Sequence, residues 1–180
     1  MKFLFVLLVT LSLLYADRDG GPYLGLGYAS STYEDDSLYS ELKEEREEAP
    51  LFYAGAYINK HLSVEFTYAD LGTYEIADTQ EEDISAYHIS ILAHYPLWDD
   101  KIDLYAKFGV GELSLKSASK SGFTYVYGVG TAYRFNKYLA LRVAYERYNF
   151  SYELSNEEAL NTQIYDMTVD TLYGAFEVQF

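Results

Sequence analysis

The chain has no cysteine, and that absence excludes disulfide frameworks, thiol catalysis and cysteine-ligated zinc. It has only three prolines, and its ordered hydrophobic pattern is not that of a disordered chain. It is poor in basic charge. Thirteen Lys and Arg stand against 28 Asp and Glu, a net charge of -15, so a nucleic-acid partner is excluded because phosphate would be repelled. It also lacks any apolar run of about 18 residues, the length a membrane-spanning helix needs. What it has in excess is aromatic surface: 21 Tyr and 10 Phe, with a single Trp, make 18% of 180 residues. That length is a prior for one domain, and no linker or longer repeat divides it.

Residues 1–16, MKFLFVLLVTLSLLYA, have a basic start at Lys2, an apolar stretch from Phe3 to Leu14 and a small residue at Ala16. This is the pattern of a secretory signal peptide, too short to span a bilayer as a helix. Cleavage after Ala16 is expected, leaving 17–180 as the barrel domain.

The remainder alternates polar and apolar residues with period two, in segments of about ten. Eight strands are expected near 22–31, 51–59, 62–72, 84–95, 102–114, 122–135, 139–149 and 168–180. Tight connections fall at Asn59-Lys60-His61, Pro96 to Lys101 and Asn136-Lys137-Tyr138. Longer, mostly acidic loops are expected at 32–50, 73–83, 115–121 and 150–167. Short and long connections therefore alternate, as in an up-and-down barrel with turns at one end and loops at the other. On each strand one face is oily: Leu62, Val64, Phe66 and Tyr68 oppose Ser63, Glu65, Thr67 and Ala69, and Leu139, Leu141, Val143 and Tyr145 oppose Ala140, Arg142, Ala144 and Glu146. A soluble sandwich would hide that face, whereas a membrane barrel turns it to lipid. The leader, the loop alternation and the strand-end aromatics favour the barrel. Tyr23, Tyr28, Tyr53, Tyr57, Tyr68, Tyr87, Tyr95, Trp98, Tyr105, Tyr125, Tyr127, Tyr133, Phe135 and Tyr138 are candidates for an interfacial girdle, though some must point inward. The fold class expected is all-β: an eight-stranded antiparallel up-and-down transmembrane β-barrel.

PYLGLGYASS (22–31), YINKHLSVEFTYADLG (57–72), VYGVGTAYRFNKYLALRVAYERY (126–148) and LYGAFEVQF (172–180) resemble the OmpA/OmpX-like outer-membrane barrel family, often labelled porin-like. The resemblance implies an integral outer-membrane protein with both termini in the periplasm. It implies delivery by periplasmic chaperones and insertion by the barrel assembly machinery, with Phe176, Val178 and Phe180 as the C-terminal insertion signal. Outer-membrane lipids and lipopolysaccharide are the expected surroundings, and a monomer is the expected state.

By parity Glu65, Asp103, Lys107, Arg134, Arg142, Glu146 and Glu177 face the interior with His88 and His94. An eight-stranded barrel is just wide enough to be filled by side chains, so these charges must pair. Counting from the tight turns puts Glu65, Asp103 and Arg142 in a lower layer and Lys107 and Glu146 in an upper one. Glu65–Arg142 and Lys107–Glu146 are the expected contacts, with His94 roughly opposite Asp103. The expected role is structural or surface-interactive, with a filled, charge-paired lumen. A narrow passive pore gated by exchange of these pairs is the alternative.

A third reading is a lipid A deacylase. The step His88-Ile89-Ser90 puts a base and a hydroxyl on one face, the pairing that activates a serine. Parity points both inward, away from an acyl chain, and sets the nearest acid, Glu112, on the other face, so no enzyme is expected. The acidic loops read as solvated surface, with divalent-cation bridging to lipopolysaccharide as the sharper alternative. Their spacing matches no calcium-loop pattern, so neither metal ligands nor a cofactor is assigned. Gly25, Gly27, Gly109, Gly111, Gly128 and Gly130 occur as inward pairs that make room in a narrow barrel.

Overall fold

In a computed structural model, residues 20–35, 46–76, 80–115, 120–155 and 162–180 are described. The expected leader lies outside them. Eight strands follow in chain order: β1 Gly21–Asp35, β2 Arg46–Asn59, β3 Leu62–Ile76, β4 Gln80–Leu97, β5 Ile102–Leu115, β6 Lys120–Arg134, β7 Leu139–Ser155 and β8 Thr162–Gln179. Each pairs antiparallel with the next, and β8 returns to β1, so the sheet is a closed barrel with no lateral edge along its lower wall. No described helix is long and apolar enough to cross a membrane. The strands are rich in Tyr, Phe, Val and Leu, residues that suit a pleated wall.

Three tight turns close one end. The Asn59 side chain accepts from the His61 amide at 2.8 Å, and Asn136 accepts from the Tyr138 and Leu139 amides at 2.8 and 2.9 Å. Both are Asx turns, the use for which Asn is favoured. In the third turn Trp98, Asp99 and Asp100 all have φ between 50° and 66°, a left-handed run that leaves the Trp98 ring exposed.

The strands run further than the oily alternation suggested. Of the stretches expected to be loops, 36–45, 77–79, 116–119 and 156–161 lie outside the described residues, and Glu34, Asp35, Glu47, Glu48, Glu75, Glu81, Glu82, Asp83, Glu153 and Asp166 belong to strands. The physical reason is a reversal of polarity along the walls. Near the turns the outer face is oily (Leu104, Phe108 and Val110 on β5) and the inner face polar (Asp103 and Lys107). Further up β5, Glu112 and Ser114 face out and Leu113 faces in. On β7, Arg147 and Asn149 face out while Phe150 is buried inside, and on β8, Asp170 and Thr168 face out while Val169 and Met167 are buried. Period two continues through the reversal, so the ladder continues too.

The aromatic girdle divides on the same basis. Tyr28, Tyr68, Tyr87, Tyr95, Trp98, Tyr125, Tyr127, Tyr133 and Phe135 are exposed on the outside, whereas Tyr23, Tyr53, Tyr57 and Tyr105 are buried inside. Tyr95, Trp98, Tyr133 and Phe135 ring the turn end. Tyr28, Tyr68, Tyr87, Tyr125 and Tyr127 mark the height where polarity reverses. Between the two rings lie residues such as Leu26, Phe66, Ile89, Ile91, Phe108 and Val129.

A bulge between Asp70 and Gly72 inserts Leu71 into the interior, and Gly72 takes φ 102°, a conformation that favours glycine. On β5, a side chain at Gly111 would overlap the Tyr87 carbonyl and lie 2.6 Å from His88 Cα, so the obstacle is backbone. Gly111→Ala is expected to cost about 1–3 kcal/mol through forced strand displacement, read as a lower urea midpoint for the folded barrel in lipid vesicles.

Candidate functional site: the charged lumen

The inward faces of β3 to β8 deliver acidic, basic or His side chains to a narrow interior, and those of β1 and β2 deliver tyrosines. Arg142 on β7 is fully buried and reaches across to Glu65 on β3, the opposite wall: its Nη1 donates to Glu65 Oε2 at 2.6 Å. Its Nη2 donates to Glu177 Oε2 on the adjoining β8 at 2.5 Å. The guanidinium lies 4.3 Å from the Tyr53 ring centroid, 5.0 Å from that of Tyr105 and 5.5 Å from that of Tyr23. Arg suits this place because one planar fork serves two carboxylates while its faces stack on aromatic rings. The Tyr53 and Tyr105 rings lie over Gly25 and Gly130, where any added Cβ would overlap them.

Lys107 on β5 bridges two strands to either side, with Nζ 3.0 Å from Glu65 Oε1 and 2.7 Å from Glu146 Oε1. Glu146 also accepts from the hydroxyls of Tyr173 at 2.9 Å and Tyr148 at 3.0 Å. The two layers expected from the sequence are thus one network joined through Lys107. Towards the turns, Arg134 donates to Gln179 Oε1 at 2.9 Å and to the Tyr57 hydroxyl at 2.6 Å, and Glu177 lies 3.8 Å away. His94 Nδ1 is 2.8 Å from Asp103 Oδ2, and its Nε2 is 2.8 Å from Ser63 Oγ. Ser63 in turn contacts the Tyr23 hydroxyl at 3.2 Å, and Tyr23 donates to Glu65 at 2.9 Å. A continuous polar chain therefore runs from Asp103 to Glu146.

All eight residues singled out for the lumen, Glu65, Asp103, Lys107, Arg134, Arg142, Glu146, Glu177 and His94, sit in this network and none is more than 7% exposed. Tyr23, Tyr53, Tyr57, Tyr105, Tyr148 and Tyr173, which supply its hydroxyls and rings, were not singled out as network members. Their parity, shared with the inward charges, was the available signal. Ser63 was also missed as the partner of His94. His88 and Ser90 both point inward, and neither His88 ring nitrogen nor Ser90 Oγ has a hydrogen-bond partner among the described residues. His88 Nε2 instead lies 4.0 Å from Glu146 Oε2. Glu112 faces outward and accepts a hydrogen bond from the Tyr87 hydroxyl. Ser63, His94 and Asp103 do have the connectivity of a hydrolytic triad, but Ser63 is wholly buried, so no carbonyl carbon can approach its Oγ. Among the described residues no group of three acidic or His side chains is placed to hold a metal.

The model of the outer membrane protein beta-barrel domain matches residues 2–173. The chain belongs to this family. Membership implies an integral outer-membrane location, and it gives the oily outer band its medium. No curated protein matches the chain. Among solved structures, this outer-membrane barrel is similar to Ail, the attachment invasion locus protein of Yersinia pestis, in complex with the heparin analogue sucrose octasulfate. The identity is 16% over 90% of this chain and 99% of that one, with a TM-score of 0.59. It is similar to Neisserial surface protein A, with 16% identity over 89% and 97% and a TM-score of 0.58. It is also similar to the outer membrane protein AlkL, solved in lipid bilayers, with 13% identity over 89% and 90% and a TM-score of 0.53. At such identities these likenesses speak for the fold alone.

Proposed function

We propose that this chain is a non-enzymatic outer-membrane barrel with a structural and surface-interaction role, its lumen closed by a side-chain network. The observation that carries this reading is the burial of four carboxylates and three permanent cations in one cross-braced array. A network that reaches from wall to wall leaves no hydrated path, and it braces the sheet from inside. The test is electrical. Purified barrel in planar bilayers is expected to give no discrete conductance steps, and steady single-channel openings of the unmodified protein would overturn the closed lumen.

A narrow gated pore is the second reading. Lys107 favours it, because its ammonium already touches both Glu65 and Glu146 and needs little movement to exchange them. Under that reading Arg142→Ala raises conductance, and an unchanged trace removes it. A lipid A-modifying role is the least supported, since the His88-Ser90 and Ser63-His94 pairs both lie inside the wall. Mass spectrometry of lipid A from expressing cells is expected to show no acyl chain lost in a Ser90- or Ser63-dependent way.

The remaining parts of the reading follow from the same frame. Residues 1–16 serve as the cleaved leader, and both termini and the three tight turns face the periplasm. Phe176 and Val178, both exposed on the outer face of β8, form with the terminal Phe180 the insertion signal read by the assembly machinery after chaperone delivery. The partners are outer-membrane lipids and lipopolysaccharide, and the barrel acts as a monomer. Ail is described with a polysulfated ligand. The outer end of this chain is strongly acidic and would repel such a ligand, so a heparin-like partner is not carried over.

A further inference from the structure

The polarity reversal has a counterpart inside the barrel. Above Glu146 and Tyr148 most of the described inward side chains are apolar, with the hydroxyls of Ser31, Thr124 and Thr171 among them. Leu71, Leu113, Phe150, Val169 and Met167 fill the lumen there from β3, β5, β7 and β8, with Leu51 and Val126 at its lower margin beside Glu146 and Tyr148, each at most 6% exposed. The register joins these side chains along a line that climbs the tilted wall: Leu51 lies opposite Ala69, Ala69 opposite Ala86, Ala86 opposite Leu113, and Phe150 opposite Met167. Phe150 leans towards Gly122, where an added Cβ would lie 2.5 Å from its ring. The Ser31 and Thr171 hydroxyls at this level satisfy each other at 3.1 Å.

We infer that this apolar layer is a second permeation barrier, stacked on the charged network, so that the lumen is a polar well open to rearrangement only from the turn end. The inference rests on the closed-lumen reading and deepens it. A narrow passage lined by Leu, Val, Phe and Met offers an ion no group to replace its hydration shell, and water leaves such a constriction. Loosening the ion pairs below removes one barrier and leaves the other. The layer also explains why the strands continue past the oily outer band. There the barrel has a polar outside and an apolar inside, so the extension is held together as a water-exposed β-barrel would be.

Four forms of the full chain test this in liposomes and planar bilayers, with folding checked by heat-modifiable gel migration. They are the unmodified protein, Glu65→Ser/Arg142→Ser, Leu51→Ser/Phe150→Ser, and the combination of all four substitutions. Should the second pair not fold, Leu113→Asn/Val126→Thr, closer in shape, replaces it. The expected result is potassium leak at the protein-free level for the first three and a rise well above it for the combination. Leak from the charge-pair variant alone, with the apolar layer intact, overturns the inference and leaves the closed-lumen reading standing. Leak from the apolar variant alone overturns it as well, because the two barriers would then not act in series. A folded combination that stays silent overturns it too. Leak through the unmodified protein overturns the closed-lumen reading itself.

Discussion

Arg142→Ala is expected to destabilise the folded barrel by about 3–5 kcal/mol, the loss typical when one member of a buried ion pair is deleted. The substitution removes the bonds at 2.6 and 2.5 Å to Glu65 and Glu177. Glu65 keeps Lys107 and Tyr23, but Glu177 is left with the Tyr57 and Tyr53 hydroxyls at 3.2 and 3.4 Å and with Arg134 at 3.8 Å as its nearest cation. Two neutral hydroxyls do not offset the desolvation cost of a wholly buried carboxylate that has lost its close cation. The measurement is the urea midpoint of the refolded protein in lipid vesicles. The triple change Glu65→Gln/Arg142→Met/Glu177→Gln removes all three charges together and is expected to recover most of the loss. A loss below about 1 kcal/mol for the single change, the range of an exposed pair, would mean that the guanidinium is hydrated and the lumen open.

Much of this architecture was legible in the sequence, because a period of two maps residue number directly onto wall face. Glu65, Lys107 and Arg142 could be placed inside from parity alone. The tight turns could be placed because Asn59 and Asn136 stand where an Asx turn needs them. Other features were less legible for physical reasons. The acidic stretches at 46–50 and 80–83 were expected to be loops, since carboxylates look like solvent. They are strand because alternation can persist with its polarity reversed, and only the partner strand reveals that. The bulge at Leu71 changes which face the following residues occupy, and no single strand announces such an insertion. Tyr23, Tyr53 and Tyr105 were counted as girdle candidates because a tyrosine suits either an interface or a buried hydroxyl network. Which of the two applies depends on where Arg142 reaches across the lumen.

The second large effect is expected on the outside. Val129 lies in the oily band between the two aromatic rings, exposed at 60%. Val129→Arg places a charge against acyl chains near mid-depth and is expected to cost about 2–4 kcal/mol. Ser114 lies on the outer face of the neighbouring strand β5, beyond the height where polarity reverses. Ser114→Arg is expected to cost about 0–1 kcal/mol, as at the membrane interface. Both are read from urea midpoints in the same vesicles. Equal effects would place the two positions in one medium and remove the boundary drawn at Tyr68, Tyr87 and Tyr125.

The single tryptophan makes the central claim directly measurable, because Trp98→Phe leaves a chain with none. In that background Phe108→Trp puts the reporter in the middle of the outer band and Ser114→Trp puts it above the reversal. Fluorescence in vesicles with bromines on the acyl chains, compared with quenching by aqueous iodide, decides which medium each position touches. The account predicts blue-shifted emission at position 108, strongly quenched by bromolipid and untouched by iodide, and the opposite pattern at position 114. Iodide quenching at position 108 without bromolipid quenching would contradict the account, because the oily band would then lie in water and the barrel outside the membrane.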